Sequence, residues 1–152
     1  MVMQTSFPLD RARAQIGQKV DSMPSMLVSA VSNEELKFGM LALIDESDVF
    51  TCKSPLPKAS LEKPLGITMR QNELESYKPK SSIVLMRSGR VWIEAEKVKS
   101  PGDAVFLKFS EDGTYKFTSD STGNTQLKGA IFLERSDGGL VPIEVNFFGG
   151  AK

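Results

Sequence analysis

The chain of 152 residues contains no histidine, one cysteine and one tryptophan. The absence of histidine removes the commonest general base and the commonest transition-metal ligand from the candidate chemistry. With Cys52 alone, no intrachain disulfide can form, so the composition does not point to an oxidising compartment. These absences lower the expectation of hydrolase chemistry.

Net charge and long apolar runs are missing as well. Lysine plus arginine equals aspartate plus glutamate, at 19 each, which gives a formal net charge of zero. Nucleic-acid binding depends on neutralising phosphates, so we expect no nucleic-acid partner. No apolar run approaches the length of a membrane-spanning helix and no apolar signal core is visible, so we expect no membrane partner.

Short runs of β-branched and aromatic residues alternate with turn residues along most of the chain. Pro101-Gly102 and Asp112-Gly113 predict tight turns between strands. Residues 140–148 alternate cleanly, with Val141, Ile143, Val145 and Phe147 facing inward and Pro142, Glu144 and Asn146 facing outward. The pattern predicts an all-β domain, either a β-sandwich or a small β-barrel of about nine to ten short antiparallel strands.

The chain is expected to divide into three parts. Residues 1–23 show no sustained periodicity and are predicted to form an extended N-terminal arm, with a frayed terminus as the simpler interpretation. Residues 24–148 are the single all-β domain, and residues 149–152 are a flexible C-terminal end. Deleting residues 1–20 is expected to spare folding. The arm residues proposed to contact a neighbouring subunit are Phe7, Leu9, Arg11, Arg13 and Ile16.

The strongest strand signal lies at residues 83–95. Ser88-Gly89 in its middle predicts a two-residue hairpin link. One face of this hairpin is fully apolar and is assigned to the core: Val84, Met86, Val91, Ile93 and Ala95. The other face mixes apolar and charged side chains, so we expect another segment or another chain to cover it. Beside Ile83, its candidate interface residues are Leu85, Arg87, Arg90 and Trp92, although a core position for Trp92 is the alternative.

No motif assembles a catalytic or metal-binding set. The acidic turn at residues 45–48 lacks the glycine and terminal glutamate of a calcium loop, which favours a solvated turn. Glu94 and Glu96 resemble a carboxylate pair, but two exposed strand glutamates reach such a spacing by chance. Cys52 has no neighbouring base to activate it. We therefore predict no catalytic residue, no cofactor and no metal site.

The order of four short motifs resembles a known protein family. The motifs are Phe38-Gly39, Pro64-Leu65-Gly66-Ile67, Gly89-Arg90-Val91-Trp92-Ile93 and Ser100-Pro101-Gly102-Asp103-Ala104-Val105. In this order they resemble the structural cement, or head decoration, proteins of tailed bacteriophages. The N-terminal arm and residues 71–80 have no counterpart in that pattern, so no capsid contact is transferred to individual residues.

The resemblance implies a non-enzymatic protein without a cofactor. Such proteins bind the outer face of the capsid and bridge adjacent major capsid proteins, so this chain would be made in the host cytoplasm and act in the virion. The implied partners are the major capsid protein and further copies of the chain, as a trimer or dimer.

Two alternatives stay open. One is a phage tail or baseplate accessory β-barrel protein, which would be present in fewer copies. The other is a β-sandwich carbohydrate-binding module or enzyme. The latter requires an exposed aromatic platform or a pocket that Glu94 and Glu96 line together.

Overall fold

A computed structural model describes residues 14–21, 23–45, 50–55, 63–71 and 74–147. The described residues contain no helix, and so none that is long and apolar enough to cross a membrane. The all-β class is confirmed. The nine strands are β1 (Met26–Ser32), β2 (Leu41–Ile44), β3 (Thr51–Lys53), β4 (Pro64–Thr68), β5 (Ser82–Ala95), β6 (Ala104–Phe109), β7 (Tyr115–Thr118), β8 (Thr125–Phe132) and β9 (Gly139–Asn146).

The strands form one mixed sheet whose pairings close into two rings, and both rings contain β5. In the first ring β5 pairs with β1 and β4, and β3 and β2 complete the circuit. In the second ring β5 pairs with β7 and β9, and β6 and β8 complete it. The pairings of β1 with β3 and of β5 with β7 are parallel, whereas antiparallel strands were predicted throughout. No local turn connects parallel neighbours, so turn signals in the sequence do not reveal them.

The predicted hairpin at Ser88-Gly89 is wrong, because β5 runs through both residues without reversing. Gly89 has a φ of 138°, and a Cβ at this position would lie 2.7 Å from the Cβ of Ser25. Glycine is therefore required by the close approach of a neighbouring segment rather than by a turn. Glycine between two strand-forming runs is favoured both by a turn and by a crowded position within one strand. The sequence pattern therefore does not distinguish a hairpin from a continuous strand.

A β-bulge in β5 explains why the predicted core face is right although the hairpin is not. Met26 pairs with Ser88 and Leu27 pairs with Met86, which leaves Arg87 as an extra residue. An extra residue reverses the alternation of the side chains beyond it. The apolar side chains before and after the bulge therefore share one core: Met86, Val91, Ile93 and Ala95 are buried, and Val84 packs against them partly buried.

The other face of β5 is covered by a second, smaller hydrophobic core of the same chain. Ile83 and Leu85 are both 0% exposed in it. Phe38 and Tyr77 lie in the same core, and Tyr77 belongs to residues 71–80, which have no counterpart in the family pattern. The prediction of Leu85 as an interface residue is corrected, because no part of this side chain reaches the surface. This part of β5 has apolar side chains on both faces because the strand belongs to both rings.

Two buried tyrosines tie these elements together. The N–H of Leu41 donates a hydrogen bond to Tyr115 Oη at 2.8 Å, which links β2 to β7. Tyr77 Oη donates to the carbonyl of Met69 at 2.6 Å, and its ring stands edge-on to Phe38. Each tyrosine thus combines a buried ring with a satisfied hydroxyl, which fixes its position in the core.

Most of the remaining local predictions are confirmed. Gly102 and Gly113 have φ of 87° and 89° in the two predicted turns. The predicted inward positions of β9 and Phe147 after it are buried. Pro142 was predicted to face outward, but it is buried opposite Trp92 of β5. Its partner across the strand pair is the large side chain of Trp92, which the sequence of β9 alone does not show.

Candidate interaction surface

Residues 14–21, the last part of the predicted arm, lie against β5. The N–H of Gly17 donates to the carbonyl of Trp92 at 2.7 Å, and the N–H of Trp92 donates to the carbonyl of Gln18 at 2.9 Å. The N–H of Val20 donates to the carbonyl of Arg90 at 3.1 Å. This segment is therefore an additional edge partner of β5 and an integral part of the fold.

Ile16 anchors the segment to the smaller core. Its side chain packs against that core partly buried, and its carbonyl accepts a hydrogen bond from Arg70 Nε at 3.0 Å. A Cβ on Gly39 would collide with Ile16 Cγ1, so the close packing of Ile16 requires glycine at this position. The contacts of Ile16 described here are within its own chain. The other arm candidates, Phe7, Leu9, Arg11 and Arg13, lie outside the described residues, and their role stays a prediction.

The close packing at Gly39 is testable by comparison with Gly123. The two glycines have φ of 69° and 71°, so a side chain at either costs about 1–2 kcal/mol of backbone strain. Nothing lies within 4 Å of a Cβ at Gly123. Gly39→Ala is therefore expected to lower the free energy of unfolding more than Gly123→Ala does, as measured by urea denaturation. Equal losses would contradict the packing of Ile16 against Gly39.

Arg90 joins three segments of the chain. Its Nη1 lies 3.2 Å from Asp21 Oδ2, and its Nε lies 3.1 Å from Glu144 Oε1. The hydrogen bond to Glu144 raises the pKa of the Arg90 guanidinium above its ordinary value. Because the pairs are exposed to solvent, they orient the segments more than they stabilise the fold. Arg90 thus holds residues 14–21 in register with β5 and β9.

The other two candidates on β5 also have partners within the chain. Arg87 Nη1 lies 3.4 Å and 3.3 Å from the carbonyl oxygens of Pro64 and Leu65. Trp92 is half-buried, and its backbone is bonded to the arm segment. Arg87, Arg90 and Trp92 all keep part of their surface in solvent, so their contact with another chain stays a prediction.

The sequence prediction missed an apolar part of the surface, on and beside β1. Residues 23–33 contain no charged side chain, in a chain that is 25% charged. The carbonyl of Phe50 accepts the N–H of Val31, which places Phe50 next to β1. Exposed apolar patches mark interaction sites. We call this patch the β1 surface; its exposed side chains are Met23, Met26, Leu27, Val31 and Phe50, at 49%, 48%, 49%, 40% and 70%.

An open groove is lined by residues of both rings, and both Glu94 and Glu96 belong to its lining. A pocket lined by both glutamates is one of the two features that the carbohydrate-binding alternative requires. Its aromatic lining residues, Phe38, Tyr115 and Phe117, are at most 9% exposed, so they present no stacking platform. Lys108 Nζ lies 3.6 Å from a carboxylate oxygen of Glu96.

Within the described ranges, no group of three or more histidine, cysteine, aspartate or glutamate side chains is placed to hold a metal ion. Of the acidic turn at residues 45–48, only Asp45 is described. Cys52 is 1% exposed in the smaller core, and burial raises the pKa of its thiol to about 11. The thiolate is the reactive form of cysteine, so both burial and protonation protect this residue.

Cys52 is accordingly expected to react far more slowly with a thiol reagent in the native protein than in the unfolded one. The rate of colour release from 5,5′-dithiobis(2-nitrobenzoic acid) at neutral pH, with and without denaturant, measures the ratio. Similar rates in the two conditions would contradict the burial of Cys52 in the smaller core.

Comparison with known proteins gives one match to a family and several to solved structures. A family model described as structural cement protein (E217 gp24/Pam3 gp6) matches residues 3–146. A chain in the capsid of Myoviridae phage XM1 is 15% identical with a TM-score of 0.69, covering 88% of this chain and 91% of that chain. A chain of the head fiber gp8.5 N base of bacteriophage phi29 is 16% identical with a TM-score of 0.49, covering 80% and 95%. Among curated proteins, none matches the sequence.

Proposed function

The chain belongs to the structural cement protein family of phages, and from this membership we propose that it binds the outer surface of a phage capsid. There it stabilises the contacts between adjacent major capsid proteins. It is a structural protein of the virion, made in the host cytoplasm, and it acts through contacts rather than catalysis. The observation that carries this proposal is the family match, which spans all nine strands.

The architecture suits a protein that holds neighbouring capsid subunits together. Two rings that share β5 give a body in which residues 83–86 of this strand pack into two cores, one on each face. Such a body transmits load between neighbours with little deformation, because packed cores have low compressibility. Each copy needs only a modest contact, since the symmetry of a capsid repeats that contact many times.

We place the contacts of this function on two surfaces. The β1 surface offers apolar side chains without charge, and the face around Arg90 and Trp92 offers the side chains typical of binding hot spots. One contacts the major capsid protein and the other contacts further copies of the chain, as a dimer or trimer.

Co-sedimentation with capsids that lack this protein tests the proposal. We expect the purified chain to pellet with such capsids, to saturate in fixed proportion to the major capsid protein, and to raise the temperature at which the shells rupture. Saturation at only a small fraction of that number would favour a tail or baseplate protein. The absence of any binding would reject the proposal.

The groove that contains Glu94 and Glu96 favours a second candidate, a carbohydrate-binding module. A glycan array followed by titration calorimetry tests it. Saturable binding that Glu94→Gln weakens would support this candidate, and a blank array would remove it. The cement proposal predicts the blank array, because the groove presents no exposed aromatic ring for stacking on a sugar.

A further inference from the structure

β1 uses only one of its two edges fully. On one side it pairs with β5 from Met26 to Val31. On the other side its pairing with β3 is limited to Val31 and Ser32. In the part of the chain that the structure describes, no strand pairs with this second edge before Val31. Over most of its length, β1 therefore has one edge without a paired strand among the described residues.

Leu27 and Ser29 present their backbone groups at the open edge. The N–H of Val31 donates to the carbonyl of Phe50 and so points away from β5. Alternate residues of a strand direct their N–H and C=O groups to the same side, which assigns Leu27 and Ser29 to that side too. An open row of such groups is a template for pairing with another chain, and proteins usually protect it with charges or proline. Neither occurs within β1.

We infer that this edge pairs antiparallel with the same edge of a second copy, about a two-fold axis at Val28. Leu27 of each copy then lies opposite Ser29 of the other, and the N–H and C=O of each bond the C=O and N–H of its partner. This inference rests on the self-association proposed above, and it assigns that self-association to the open edge of β1.

The length of the open edge favours this symmetric contact over a long inserted strand. β3 occupies the edge from Val31 onward. At the other end, β1 begins at Met26. Residues 26–30 are left, which give a partner an edge of no more than five residues.

The side chains around the edge also favour a second copy. A two-fold contact brings the same patch together from both molecules, so a charge close to the axis would face the same charge of the other copy. Residues 23–33 carry none. The contact covers part of the β1 surface and remains small, so we expect a weak dimer that gains strength when many copies sit on one shell.

Sedimentation equilibrium of the full chain over a wide concentration range tests the inference. We expect a monomer–dimer equilibrium that Leu27→Lys shifts at least tenfold toward monomer. Leu140→Lys is the matched control, because Leu140 is 40% exposed but lies on β9, and it should leave the equilibrium unchanged. Circular dichroism verifies that both variants are folded.

A pair of charge variants makes the test independent of misfolding. Ser29→Lys and Ser29→Glu should each weaken self-association, because the two copies of residue 29 are diagonal neighbours within reach of long side chains. An equimolar mixture should recover self-association as a heterodimer, because the diagonal charges are then opposite. A strictly monomeric wild type, or a mixture that stays monomeric, would overturn the inference. If such a monomer still pellets with capsids, the β1 contact is rejected and the proposed function stands. If it does not pellet, the proposed function is rejected as well.

Discussion

Val91→Asp is expected to unfold the domain. Val91 is 0% exposed in the larger core, opposite Ile143 on β9, and its neighbours there are apolar. A carboxylate at this position would be buried without a partner, which places the substitution among the most destabilising kinds, at more than about 4 kcal/mol. Far-ultraviolet circular dichroism and urea denaturation measure the effect.

Ser82→Asp is the control for this prediction. Ser82 is the exposed first residue of the same strand, so the same charge there should change the free energy of unfolding by no more than about 0.5 kcal/mol. If Val91→Asp kept the wild-type stability, the burial of Val91 in the larger core would be contradicted.

Deletion of residues 1–20 is expected to destabilise the domain by about 3–6 kcal/mol. The deletion removes the backbone hydrogen bonds from residues 17–20 to β5 and to Arg70, each with a net contribution of about 0.5–1.5 kcal/mol. It also removes the packing of Ile16 on the smaller core, which contributes further. This result reverses the expectation from the sequence that the deletion spares folding.

Deletion of residues 1–13 is the matched control, because every contact just described survives it. Urea denaturation should give this variant a higher stability than the 1–20 deletion. Its binding to capsids then isolates the role of Phe7, Leu9, Arg11 and Arg13, and unchanged binding would discard these residues as capsid contacts. A 1–20 deletion as stable as the full chain would contradict the docking of the arm segment on β5.

The strands and turns of this protein are predictable where a local pattern decides them. The alternation in β9 and the positive φ of Gly102 and Gly113 depend on neighbouring residues alone. What the pattern cannot show is the element on the other side of a strand. Ile83 and Leu85 look like half of a surface from the sequence, yet they lie in the smaller core, which also contains Phe38 and Tyr77 from outside β5.

The candidate interaction surface could likewise be predicted only in part from the sequence. The lack of charge in residues 23–33 is visible in the sequence and could have identified the β1 surface. Its exposure depends on where β3 begins, which is a matter of tertiary pairing. Conversely, the sequence predicted Arg90 as an interface residue and did not show its partners. Arg90 is paired with Asp21 and Glu144, which are distant from it in sequence.

The central claim is that this chain works on the outside of a capsid, and a density map of the intact particle tests it most directly. We predict density for the two-ring fold on the outer face of the shell, in contact with neighbouring major capsid proteins and in fixed proportion to them. Density only at the tail or baseplate, or a shell without this chain, would contradict the account.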